Sequence, residues 1–154
     1  MATLPMRTGD VARLAVRDVM HPGFVGCVFE TPLTEVARLM ARHRVHCVVG
    51  FGDVTEDDTS VWGVVSDRDV VAALAEGTHA TAGAVAATEV VTVTPDDTLA
   101  RAAQLMRDHE VSHLLVVAGA DRPVGILSTL DIAATLGHAA LRELEPDASP
   151  VAPR

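Results

Sequence analysis

Gly63-Val64-Val65-Ser66-Asp67-Arg68-Asp69 returns in the second half of the chain as Gly125-Ile126-Leu127-Ser128-Thr129-Leu130-Asp131. Each run is a glycine, two apolar residues and then Ser-x-x-Asp. The apolar pair reads as the buried end of a strand, and Ser-x-x-Asp reads as the opening of a helix. In a capping box of this kind the serine hydroxyl accepts a hydrogen bond from a first-turn amide, and the acidic residue three positions on reaches back to the amide of the cap. One capping box decides little, because the pattern is common. Two in the same frame decide the fold.

Outward from these junctions the likeness continues. Residues 16–51 lie over 82–117 at a shift of 66, so that Val25 meets Val91, Leu33 meets Leu99, Met40 meets Met106 and His43 meets His109. The shift falls to 62 beyond the segment 52–60, which is longer in the first copy, and Ala72 then meets Ala134. The chain is a tandem of two similar units of about sixty residues.

Each unit predicts the order β-α-β-β-α. A short helix over 16–20, and again over 82–86, leads into a valine-rich strand over 25–29 or 90–93. In the first copy Pro32 takes the first helical position after Thr31, with Leu33, Val36, Leu39 and Met40 on one face. In the second, Asp97 caps a helix whose apolar face carries Leu99, Ala102, Leu105 and Met106. Strands over 46–51 and 60–65, then 112–117 and 124–127, follow, and a last helix starts at Ser66 or Ser128. The fold class is α/β (α+β), two repeats packed with pseudo-two-fold symmetry, since a single unit would leave a sheet face bare. The expected organisation is a lead-in over 1–15, repeats over 16–77 and 78–137, and a helical stub with a proline-rich tail over 138–154. Residues 5–9 read as loose, and the stub over 138–144 as separate from the helix before Gly137.

Composition narrows the function. The 154 residues suffice for a core that needs neither metal nor disulfide. The net charge of −9, with every one of the twelve basic residues an arginine, argues against nonspecific nucleic-acid binding. No apolar run reaches the length of a membrane span, and the start has no signal-peptide pattern, so the expected compartment is the cytoplasm. Absence of lysine removes Schiff-base chemistry and the lysine-bearing phosphate loop; absence of tyrosine removes a tyrosine acid or nucleophile. Lysine, asparagine and tyrosine all use A/T-rich codons, so their joint absence suggests a GC-rich bacterial genome.

The two junctions have a second reading besides capping. A helix N-terminus offers amides and partial positive charge to an anion. A serine there adds a hydroxyl, and a carboxylate one turn in is placed to accept both hydrogen bonds of a vicinal diol such as a ribose. Hydrogen bonds to a charged group contribute about 1.5–3 kcal/mol each. The glycine lets a ligand come close to the strand.

The tandem repeat, its Gly-h-x-Ser-x-x-Asp endings and the opening Val16-Arg17-Asp18-Val19-Met20 resemble a pair of CBS domains (cystathionine β-synthase domains) over residues 16–137, nearly the whole chain. The resemblance implies two clefts between sheet-packed copies that bind AMP, ADP, ATP, S-adenosylmethionine or NAD(H). The motif aspartate would hold the ribose, with the serine near the phosphate. Carried over, it points to Ser66 and Asp69 in one cleft and to Ser128 and Asp131 in the other. It also implies a homodimer and a regulatory role without catalysis or a required cofactor. Family members that bind AMP tightly often have a His-Arg pair opening the second strand. Here those positions are His46-Cys47 and Ser112-His113, so His46 and His113 join the candidate site without the arginine. Arg68 would supply the phosphate contact in the first cleft; Leu130 stands at its place in the second.

Two other readings stand beside this one. A ligand-free scaffold, recognised by an unknown protein partner, would use Ser-x-x-Asp only as helix caps. A metal- or redox-responsive protein would use His46, Cys47 and Cys27, but His43 and His109 are explained as well by helix C-termini. Two buried free thiols are expected, and no nucleophile–base order fits a local catalytic signature. Trp62, beside the first junction, reads as a core or interface residue.

Overall fold

The computed structural model of the chain describes residues 6–52 and 60–144. Pro5, most of the loop insertion (53–59) and the tail from residue 145 lie outside the described residues. Helix α1 (Thr8–Val11) and a 3-10 turn (Val16–Asp18) precede strands β1 (His21–Pro22) and β2 (Gly26–Cys27). Then come α2 (Leu33–His43), β3 (Cys47–Phe51), β4 (Val61–Ser66) and α3 (Asp67–Glu76). The second copy repeats this with α4 (Ala82–Val85), β5 (Thr92–Val93), α5 (Leu99–Asp108), β6 (His113–Ala118), β7 (Arg122–Ser128) and α6 (Thr129–Leu144).

The strands form two sheets, ordered β2-β3-β4 and β1-β7-β6-β5. In both, a short parallel strand flanks an antiparallel pair whose inner residues are fully buried, Val48, Val49 and Val65 in one and Leu114, Val116 and Leu127 in the other. The repeat extends to the irregularities. The register shifts between Gly50 and Phe51 in β3 and between Val116 and Val117 in β6. Arg44 and Glu110, beyond α2 and α5, both take the left-handed conformation, at φ 54° and 53°.

The α/β (α+β) expectation holds, and the helices bury the predicted stripes: Leu33, Val36 and Met40 on α2, and Leu99, Ala102 and Met106 on α5. Several details differ. Pro32 is the residue before α2 rather than its first residue, because it is extended and bridges to Thr81. Thr31 does not cap; its hydroxyl accepts from Val28 N–H at 3.1 Å. Thr98, not Asp97, caps α5 by accepting from Arg101 N–H at 3.2 Å, while the Asp97 carboxylate takes Thr94 N–H at 2.8 Å. The strands expected over 25–29 and 90–93 shrink to two residues each.

The ends are more ordered than the sequence suggested. Thr8 and Gly9 belong to α1, and Thr8 donates its N–H to a Glu143 carboxylate oxygen at 2.8 Å. Helix α6 continues through Gly137, so the stub is its last part. A helical glycine costs about 1 kcal/mol relative to alanine. Burial of Ala139 in the same core as Val11 holds the helix past that point.

The packed units are not the sequence repeats. Val11 and Val16 lie in one core with Val93, Leu99, Leu114 and Leu127, all from the second copy. Ala82 lies in the other core with Val36, Met40, Val48 and Val65 from the first. The lead-in of each repeat thus crosses to its neighbour, held there by Val16 N–H to Asp97 O and Ala82 N–H to Thr31 O, both 2.8 Å. Likewise β1 adds to the edge of β7. A side chain on Gly125 would collide with the His21 carbonyl, which is why that strand position carries none.

Candidate functional site

Ser66 is the last residue of β4 and caps α3, with the full box formed. Asp69 Oδ2 accepts from Ser66 N–H at 2.7 Å and from Ser66 Oγ–H at 2.9 Å, and Ser66 Oγ accepts from Asp69 N–H at 3.4 Å. In the second copy Asp131 Oδ2 accepts from Ser128 N–H at 2.8 Å and Ser128 Oγ from Asp131 N–H at 3.1 Å. Capping therefore operates at both junctions. It leaves one carboxylate oxygen per aspartate outside the box.

Around the first junction lies a cleft of about 390 Å³. Ser66, Arg68 and Asp69 line one side; Val91, Ser112 and His113 line the other. The cleft is therefore built between the copies, from the β4–α3 junction of one and the strand starts of the other. Among the described residues of its wall Arg68 is the only arginine, against the carboxylates of Asp69, Glu89 and Glu110. His113, first residue of β6, shares a hydrogen bond with Ser112 Oγ at 3.0 Å. Burial holds the His113 imidazole below the usual histidine range, outweighing the pull of the Asp67, Asp131 and Asp69 carboxylates. It is neutral near pH 7.

Of the predicted residues, the structure brings Ser66, Arg68, Asp69 and His113 to one cleft and leaves His46, Ser128 and Asp131 outside its wall. His46 Nδ1 instead lies 2.9 Å from Asp67 Oδ2, at the start of α3. Asp131 Oδ1 lies 2.8 Å from His21 Nε2. Sequence reasoning passed over Ser112, the wall from Ala87 to Val91, and His21. The signal for the last was present, because the shift of 66 sets His21 over Ala87.

The cysteines are buried and free. Burial, assisted by the Asp67 carboxylate, pushes the Cys47 thiol up to about 12, and burial raises Cys27 as well. Both stay protonated and unreactive at neutral pH. Among the described residues no group of three or more His, Cys, Asp or Glu is placed to hold a metal ion. No helix among them is long and apolar enough to cross a membrane.

Comparison with known proteins extends the likeness. The CBS domain family matches residues 16–76 and 82–138. Hypoxic response protein 1 of Mycobacterium tuberculosis is 32% identical over 142 residues, 88% of this chain and 95% of that protein. A solved Hypoxic Response Protein I with two coordinated zinc ions is 30% identical, with a TM-score of 0.62 over 79% of this chain and 98% of that one. A CBS domain protein from Pyrobaculum aerophilum, complexed with AMP, superposes with a TM-score of 0.70 at 27% identity, over 83% of this chain and 99% of that one. The CBS domain pair of protein MJ0100, in complex with 5′-methylthioadenosine and S-adenosylmethionine, superposes at 0.73 with 21% identity, over 82% and 98%.

Proposed function

Because the chain belongs to the CBS domain family, with one match over each repeat, we propose that it is a regulatory module which binds an adenosine compound between its two copies and performs no reaction of its own. The carrying observation is the open carboxylate at Asp69. Its Oδ2 is held in the capping box, its Oδ1 has no hydrogen-bond partner among the described residues, and it lines a cleft with Arg68, Ser112 and His113. The open Oδ1 accepts from a ribose diol, and Arg68 supplies one cation for an anionic 5′ group. The solved relatives with AMP and with S-adenosylmethionine support the same ligand class. No cofactor is required by this role, and the acidic surface suits neither nucleic acid nor an anionic membrane. A cytoplasmic location belongs to the same reading.

A homodimer fits the apolar side chains left on the outside. Val71 and Leu74 on α3 and Leu130 on α6 are 64%, 80% and 62% exposed. A second copy covering them would let ligand binding alter a surface that a protein partner reads. Leu74→Glu should then shift the sedimentation coefficient to that of a monomer; an unchanged value places the interface elsewhere.

The solved Hypoxic Response Protein I has two coordinated zinc ions, whereas among the described residues of this chain no three His, Cys, Asp or Glu are grouped to hold one. The scaffold reading has one observation in its favour, the completeness of both capping boxes. The two are separated by a thermal-shift panel of AMP, ADP, ATP, S-adenosylmethionine, 5′-methylthioadenosine and NADH on untagged protein. A ligand at a hundred times its Kd adds about 2.7 kcal/mol, or several degrees for a chain of this size. A shift that Asp69→Asn removes establishes the sensor. A flat panel at millimolar ligand leaves the scaffold.

A further inference from the structure

The two motif aspartates are in different states. Asp69 keeps Oδ1 without a partner among the described residues, as above. Asp131 has both oxygens engaged, Oδ2 by Ser128 N–H at 2.8 Å and Oδ1 by His21 Nε2 at 2.8 Å, and its side chain is only 11% exposed. A ribose diol reaches Asp131 only by displacing the imidazole.

The repeat shows where this difference comes from. Ala87 bridges Val64 beside the first junction just as His21 pairs with Ile126 beside the second. Both are the crossing lead-in of the opposite copy, so the two positions are equivalent in space as well as in sequence. At Ala87 a methyl group lines the open cleft. At His21 an imidazole spans the same gap to the carboxylate. Two more exchanges act in the same direction: Leu130 replaces Arg68, removing the cation, and Phe24 replaces Val90 with a larger ring turned against Phe51 at 5.2 Å.

We infer that His21 is a built-in latch that closes the Ser128–Asp131 side to nucleosides, so that each chain takes one adenosine compound, at Ser66 and Asp69. The inference rests on the nucleotide reading above and adds to it the stoichiometry and the residue that sets it. Seating the diol means moving an imidazole that lies 2.8 Å from Asp131 Oδ1 out of the gap that Ala87 leaves open in the first cleft, so binding at Asp131 should be at least about tenfold weaker than at Asp69, enough to leave the second side empty where the first is full.

Titration calorimetry on the full chain, with 5′-methylthioadenosine, S-adenosylmethionine and AMP as probes, tests it. The native chain should bind one molecule per chain and His21→Ala two, the second removed again by Asp131→Asn in the His21→Ala background. Two molecules on the native chain, or one on a folded His21→Ala, overturns the latch. The reciprocal change keeps the test alive if His21→Ala unfolds. Ala87→His installs the latch in the open cleft and should weaken binding at least tenfold, and unchanged affinity overturns the inference. Silence from all three probes on the native chain and on His21→Ala removes the nucleotide reading itself, a result distinct from either stoichiometry.

Discussion

At the scale of single residues, Asp69 has two functions on two oxygens, and substitutions separate them. Asp69→Ala removes both: the Ser66 amide loses its acceptor, costing about 0.5–2 kcal/mol of stability, and ligand binding is lost. Asp69→Asn keeps an oxygen for the Ser66 N–H, so urea unfolding should stay within about 0.5 kcal/mol of native. It places an amide where the diol needs an acceptor, so binding should fall below detection in calorimetry. An Asn variant that binds as well as the native chain would take Asp69 out of the site. His113 gives the pH dependence. Its folded pKa lies below the ordinary value near 6.5 because burial disfavours the charged ring. Between the two pKa values the unfolded chain binds more protons than the folded one, so stability is full above about 6.5 and is lost as pH falls toward the folded pKa. The stability of the native chain relative to His113→Gln should therefore decrease between pH 7 and pH 5 in urea titrations; a constant difference would show that burial does not govern this group.

At the scale of elements, the same Ser-x-x-Asp signal places the start of α3 and α6 correctly because the cap is local: serine, aspartate and the amides they satisfy lie within four residues. The stripes of α2 and α5 were legible for the same reason, each burying residues at helical spacing. What could not be read was tertiary. Gly137 looked like a stop because a glycine in a helix is unfavourable by itself; the packing of Ala139 with Val11, and of Glu143 on Thr8, decides otherwise. Pro32 and Asp97 were misplaced by a residue because the bridges of Pro32 to Thr81 and of Thr98 to Ala15 set the helix starts from a distant segment. The open space at Gly137, where a Cβ would meet nothing within 4 Å, turns the helix reading into a prediction. Gly137→Ala should raise stability by about 0.5–1 kcal/mol, seen as a higher midpoint in urea with unchanged slope. A lower midpoint would mean that α6 needs the flexibility there.

At the scale of the whole molecule, the exchange of lead-ins makes two sequence repeats into one structure. Val16 belongs to the first copy in sequence and to the second in packing, and Ala82 the reverse. The site inherits this arrangement: the cleft at Ser66 and Asp69 has His113 and Ser112 of the opposite copy for its far wall, so its geometry depends on both cores being intact. The repeat itself was legible from the shifts of 66 and 62, but the crossing was not, since a shift relates residues without saying which copy they touch. The consequence can be measured through Trp62, the only tryptophan, which packs on the first core and against Phe29. Val16 is fully buried in the second core. Val16→Ala removes two methyl groups there, costing about 2 kcal/mol from lost burial and cavity together, or roughly 4–8 °C in Tm for a chain of this length. If the crossings couple the cores, Trp62 fluorescence reports that full loss although the mutation lies in the other core, and its transition coincides with the far-UV circular dichroism. A fluorescence transition that stays at the native temperature while the dichroism splits in two would show that the cores unfold separately. A ligand seated between them would then act by joining two independent halves instead of by biasing one cooperative unit.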